Sequence, residues 1–192
     1  MMVKICGITN PEDAQVAVDY GASAIGFVFY PRSPRYVTPE QAADILASLR
    51  GNVWKVGVFV DEPRERVAAV STQLGLDIAQ LHGSETPADY PVNFRVWKAQ
   101  RVKGEFDASK FEDDPAEALM LDGPAAGLSF DWSIAAELRR KVIIAGGLDA
   151  SNVRDAVERA HPWGVDASSR LESAPGRKDR TKLELFLRAA LA

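Results

Sequence analysis

The chain has 192 residues, 46% hydrophobic and 26% charged, with 23 Lys and Arg against 27 Asp and Glu for a formal net charge of −4. That composition suits one folded domain over 1–192. It offers nucleic acid or an anionic membrane no general attraction, though a small anionic substrate could still bind locally. A single cysteine, no run of membrane-spanning length and no leader-like apolar start point to a cytoplasmic protein.

Short runs rich in Val, Ile and Phe alternate with amphipathic stretches from one end to the other. "VKICGI" (3–8) predicts a first strand that carries Cys6 to its end, next to Gly7. "TNPEDAQVAVDYGA" then starts a helix, with Asn10 as N-cap, Pro11 at the first helical position and acidic residues in the first turn. After a second strand, "AIGFVF" (24–29), Thr38, Pro39 and Glu40 repeat that start, and the helix is expected to stop at Gly51. "WKVGVFV" (54–60) leads into "DEPRERVAAVSTQLG", ended by Gly75. Strands follow at "IAQLHG" (78–83), "RVWKAQ" (95–100) and "EALMLDG" (117–123). The fourth and fifth connections, "SETPADYPVNF" and "RVKGEFDASKFEDDPA", promise only short helices or loop. "FDWSIAAELRR" reads as a sixth helix, "KVIIAGG" (141–147) as a seventh strand and "DASNVRDAVERA" as its helix. "GVDASS" (164–169) and "DRTKLELFLRAALA" complete the last unit.

Eight strands, each followed by a connection, predict an α/β protein with a parallel sheet closed into a single (β/α)8 TIM barrel. The length gives 192/8 = 24 residues per unit. This lies near the roughly 200-residue lower end for such barrels, which fits shortened fourth and fifth βα units. An open flavodoxin-like sheet would need far fewer strands.

Sites in such barrels lie at the C-terminal ends of the strands. Cys6, the loop "YPRSPRY" with Arg35, Gln80, His82, Asp122, Gly146, Gly147, Asp166, Ser168 and Ser169 all fall there. The glycine pair, read as standing directly before a helix, and the serine pair suggest a phosphate site after strands seven and eight. Asp122 is either a turn-forming Asp-Gly residue or a proton-transfer carboxylate. Cys6 is either a small core residue or a reactive thiol. Lys4 shares its side of the strand but lies lower, which argues against direct help. His82 reads as a supporting group rather than a catalytic one. "RKDR" (177–180) reads as a solvated helix start. The two histidines, His82 and His161, are far apart and lack spaced partners, so no metal site is expected.

Together, "VKICGITNPEDA", "GFVFYPRSPRYVTPEQA", "KVGVFV", "QLHG", "LMLD", "FDW", "AGGL", "VDASSRLE" and "PGRKD" resemble, in order, the phosphoribosylanthranilate isomerases of tryptophan biosynthesis. The resemblance implies an Amadori rearrangement of N-(5-phosphoribosyl)anthranilate without metal or organic cofactor. It implies Cys6 as general base, Asp122 as general acid and Arg35 as a clamp on the anthranilate carboxylate. Gly146, Gly147, Ser168 and Ser169 would hold the phosphate, with Gln80, His82 and Asp166 as supporting groups. The enzyme would be a monomer or homodimer without a nucleic-acid or membrane partner. Three features depart from the family pattern: the loop after Asp122, "GPAAGLSFDW", is short, Arg170 stands where many members have glycine, and the fourth and fifth units are shorter than usual. The competing readings are the histidine-pathway aminoaldose–ketose isomerase and a non-catalytic barrel that binds a phosphorylated ligand. The first would want a second glycine-rich phosphate loop and an aspartate in place of Cys6. A carbon–carbon synthase would want several strand-end lysines, and "VWKAQ" offers Lys98 alone.

Overall fold

A computed structural model describes residues 1–104, 106–124 and 128–192. In chain order the elements are β1 (Met2–Cys6), α1 (Pro11–Asp19), β2 (Ala24–Val28), α2 (Pro39–Ser48), β3 (Trp54–Phe59), α3 (Arg64–Leu74) and β4 (Ile78–Leu81). There follow β5 (Arg95–Arg101), β6 (Ala118–Asp122), β7 (Val142–Ile144), α4 (Val153–Ala160), β8 (Gly164–Ala167), a hairpin of β9 (Glu172–Ala174) and β10 (Arg177–Lys178), and α5 (Arg180–Leu191). Strands β1 to β8 pair in sequence order and β8 pairs with β1, closing a parallel barrel. No helix among the described residues is long and apolar enough to cross a membrane.

The helix starts form as their residues require. Asn10 Oδ1 accepts from the Asp13 N–H at 2.9 Å, and Thr38 and Gln41 complete a reciprocal capping box on α2. Gly75 ends α3 in the left-handed region, at φ 57°. Two expectations change. Helix α2 stops at Ser48, because Leu49 turns extended before Gly51 is reached. Among the described residues, the sixth connection holds only a 3-10 helix, Trp132–Glu137, as the fourth and fifth do at Pro87–Asp89 and Ala108–Phe111. A 3-10 helix advances about 2.0 Å per residue against about 1.5 Å for an α-helix, so it lets a short connection run the length of the barrel.

Alternation along β1 sorts the interior. Val3 and Ile5 face the outer layer, where they pack with the helices' Ala14, Ala17, Leu183 and Phe186. Met2, Lys4 and Cys6 face inward at successive heights. The bottom is filled by Met2, Val56, Ile78, Trp97, Met120 and Ile143. It is sealed by Trp54 stacked on Trp163, with Trp97 edge-on to both. The top layer is thinner, with Cys6, Val28 and Val58 against Tyr30, and it floors the open end.

Candidate active site

A cavity of about 600 Å³ opens at the C-terminal ends of the strands. All ten strand-end candidates line it: Cys6, Arg35, Gln80, His82, Asp122, Gly146, Gly147, Asp166, Ser168 and Ser169. The reason is topological, since every parallel strand delivers its last residue to the same rim.

Cys6 is 8% exposed and faces this cavity. Lys4 lies beneath it, fully buried, with Nζ 2.8 Å from Asp166 Oδ1. The register makes this pair, since Lys4 of β1 stands opposite Asp166 of β8. Contrary to the sequence expectation, Lys4 also reaches Cys6. A Cβ placed on Gly26, the β2 partner of Cys6, would lie 3.0 Å from Cys6 Sγ and 3.1 Å from Lys4 Nζ. Only glycine leaves that gap open. Burial pushes the Cys6 thiol up, and the Lys4 ammonium pulls it back by charge and hydrogen bond.

Across the mouth, Asp122 ends β6 and its Oδ2 lies 3.2 Å from His82 Nε2. His82 Nδ1 in turn lies 3.3 Å from Gln80 Nε2. His82 thus bridges Asp122 and Gln80 in one hydrogen-bonded row. Part of the short loop after Asp122, 125–127, lies outside the described residues.

Arg35 is not a loose loop residue. Its Nε and Nη2 each donate to the Glu172 carboxylate at 2.7 Å, a bidentate pair. Lys178 Nζ donates to the same carboxylate at 3.0 Å and is buried. "RKDR" is therefore no solvated helix start: Lys178 points inward, its N–H donates to Asp13, and Asp179 caps α5. Glu172 and Lys178 were missed because they come from the β9–β10 hairpin, which no strand-end argument places at the mouth. Lys98 is also committed, donating to Glu85 and to the Gly83 carbonyl, both at 2.7 Å.

Gly146 and Gly147 adopt φ of 86° and 69°, conformations that suit glycine. A Cβ on Gly146 would meet the Gly123 nitrogen at 2.3 Å. One detail differs from expectation: α4 begins only at Val153, so the glycines form a turn ahead of the helix rather than its first N–H groups. The serine pair divides its work. The Ser168 hydroxyl donates to the Cys6 carbonyl at 3.0 Å, tying β8 to β1, while Ser169 opens the 3-10 turn Ser169–Leu171 at the cavity edge. Arg170 lines the same edge, with its guanidinium 3.8 Å from Asp149.

A closed (β/α)8 barrel with a thiol, a carboxylate and a glycine–serine rim gathered at the C-terminal mouth has the architecture of a barrel enzyme. Residues 3–189 match the family of N-(5'phosphoribosyl)anthranilate (PRA) isomerases, and the chain belongs to that family. It is 54% identical to the N-(5'-phosphoribosyl)anthranilate isomerase of Solibacter usitatus, with 100% of this chain and 98% of the relative covered. A crystal structure of phosphoribosyl anthranilate isomerase in complex with reduced 1-(o-carboxyphenylamino)-1-deoxyribulose 5-phosphate matches at 38% identity. Its TM-score is 0.89, over 100% of this chain and 98% of that one. The monomers generated from the dimeric Thermotoga maritima enzyme match at 37% identity and a TM-score of 0.87, over 100% and 99%.

Proposed function

We propose that this chain converts N-(5-phosphoribosyl)anthranilate to 1-(2-carboxyphenylamino)-1-deoxyribulose 5-phosphate, with Asp122 as general acid and Cys6 as general base. The observation that carries the reading is the meeting of both groups, on β6 and β1, in one cavity whose rim also holds Arg35 and the glycine–serine turn. Asp122 gives its proton to the furanose ring oxygen, the C–O bond at the anomeric carbon breaks, and an iminium ion forms. The Cys6 thiolate takes the proton from the second sugar carbon, which leaves an enolamine. Tautomerisation to the ketone adds a proton to the first carbon as the hydroxyl on the second carbon loses one, and Asp122 regains a proton and Cys6 gives one up by exchange with solvent.

Binding at the two ends of the substrate aligns the reacting carbon between acid and base, which lowers the entropic part of the barrier. The turns around Gly146–Gly147 and Ser169 offer backbone to the phosphate. Arg35 faces the anthranilate carboxylate while Glu172 fixes its orientation. The lone thiol needs a reducing compartment, so we place the enzyme in the cytoplasm.

The test follows the loss of phosphoribosylanthranilate fluorescence in the wild type and in Cys6→Ser. The wild type is expected to turn over. Cys6→Ser should lose at least about a hundredfold in kcat, the lower end for one acid–base group. Near-normal turnover in the variant would return Cys6 to core packing. Binding of a substrate analogue without any turnover by the wild type would favour a non-catalytic barrel.

A further inference from the structure

Lys4 has no part in the reaction just described, yet it is a lysine completely shielded from solvent inside the barrel. Removing an ammonium from water is costly, so a buried lysine needs partners. Asp166 supplies one at 2.8 Å. Its other neighbour is the Cys6 thiol, across the gap that Gly26 leaves open. The other charged groups around the thiol come from five further segments. The loop after β2 brings Arg35, while β9 and β10 bring Glu172 and Lys178, already bonded to one another. Across the mouth stand Asp122 and His82, paired with each other.

The charge count is informative. Lys4, Arg35 and Lys178 are three cations, and Asp166 and Glu172 are two carboxylates. On the Cys6 side of the mouth these five groups leave one excess positive charge beside the thiol. Ionising Cys6 balances it.

We propose that Lys4, held by Asp166, is a positioning residue whose ammonium stabilises the Cys6 thiolate. This rests on the reading of Cys6 as the base. Burial works against the Lys4 ammonium, but Asp166 and Cys6 more than compensate and hold its pKa above the ordinary value. The reciprocal effect acts on Cys6, where burial is the largest influence and the Lys4 charge opposes it.

Cys6 is the sole thiol in the sequence, so the pH dependence of alkylation by iodoacetamide reads its ionisation directly, whether or not the enzyme turns over. Lys4→Met should move the midpoint up by about one pH unit or more, the usual effect of losing an adjacent opposite charge. Alkylation at neutral pH would then be about tenfold slower. Turnover should fall with little change in KM. Asp166→Asn, which removes an anion and keeps the cation, should move the midpoint down. If the carboxylate stranded in Lys4→Met prevents folding, Lys4→Met/Asp166→Asn removes both charges. Its midpoint should then lie above that of Asp166→Asn. An unmoved midpoint in a folded Lys4 variant overturns the proposal, as does an upward move in Asp166→Asn. A Cys6→Ser enzyme that keeps its turnover would sink the base assignment while leaving these shifts standing, so the two failures are distinct.

Discussion

Gly26 determines what Cys6 and Lys4 can be to each other. Any side chain at this inward position of β2 would push between sulfur and ammonium. Asp122 is placed differently, by a neighbour rather than by a gap, because His82 holds one of its oxygens at 3.2 Å. Asp122→Asn keeps the size and can still hydrogen-bond His82, but it has no proton to deliver. The expected outcome is a loss of at least about a hundredfold in turnover with an unchanged melting temperature. Full activity in a folded Asp122→Asn protein would leave Asp122 as a turn residue. Cys6 and Asp122 were legible in the sequence because each ends an apolar run, and in a parallel barrel a strand end is an address. The Lys4 contact was not. Strand parity gives the side a residue faces, but not how far a four-carbon stem carries its charge along the barrel axis.

Between residues and the barrel stand the connections, and they were read with mixed success for a physical reason. Helices α1 and α2 announce themselves through Asn10–Pro11 and Thr38–Pro39, which are local signals that act within one turn. The sixth connection carries an equally helical pattern but forms a 3-10 turn, since the span it must cover is a property of the closed sheet. The β9–β10 hairpin is similar: Glu172 and Lys178 are ordinary surface residues until the hairpin folds them under Arg35. At the other end of the strands, Glu117 accepts from Arg95 at 2.6 and 3.0 Å and from Lys141 at 3.0 Å, joining the starts of β5, β6 and β7. The Arg95 hydrogen bonds, with Lys141 adding to them, hold its carboxyl down at about 2. A depressed carboxylate contributes stability that is fully present above its unfolded value, near 4.3, and is lost as pH falls through the folded one. Glu117→Gln should therefore unfold at lower urea than the wild type at neutral pH. The gap should narrow between about pH 4 and about pH 2. A gap that stays constant over that window would show that the network adds no pH-dependent stability. Glu117 is only part-buried and its partners Arg95 and Lys141 reach solvent, so the effect should be modest.

The barrel divides its labour between two ends. The N-terminal end is closed by Trp54, Trp97 and Trp163, with the Arg95 guanidinium 4.6 Å over the Trp54 ring and the Lys141 amine 4.8 Å over that of Trp163. The C-terminal end gives up such packing for a cavity lined by charged residues, serines and glycines. A ligand seated there meets β7, β8 and the loop after β2 at once, so binding should stabilise the closed sheet as a whole. Inorganic phosphate provides the test, because it is one end of the substrate in isolation. A ligand at a hundred times its Kd adds about 2.7 kcal/mol. For a chain of this size that corresponds to a rise in Tm of about 5–10 °C. Phosphate should produce such a rise, and chloride at matched ionic strength should not. Ser169→Asp puts a negative charge where the anion would sit, so its melting curve should ignore phosphate while the apo Tm stays close to that of the wild type. If Ser169→Asp gains as much stability from phosphate as the wild type, the anion binds elsewhere. The turn around Gly146–Gly147 and Ser169 would then be a connection between strands and nothing more.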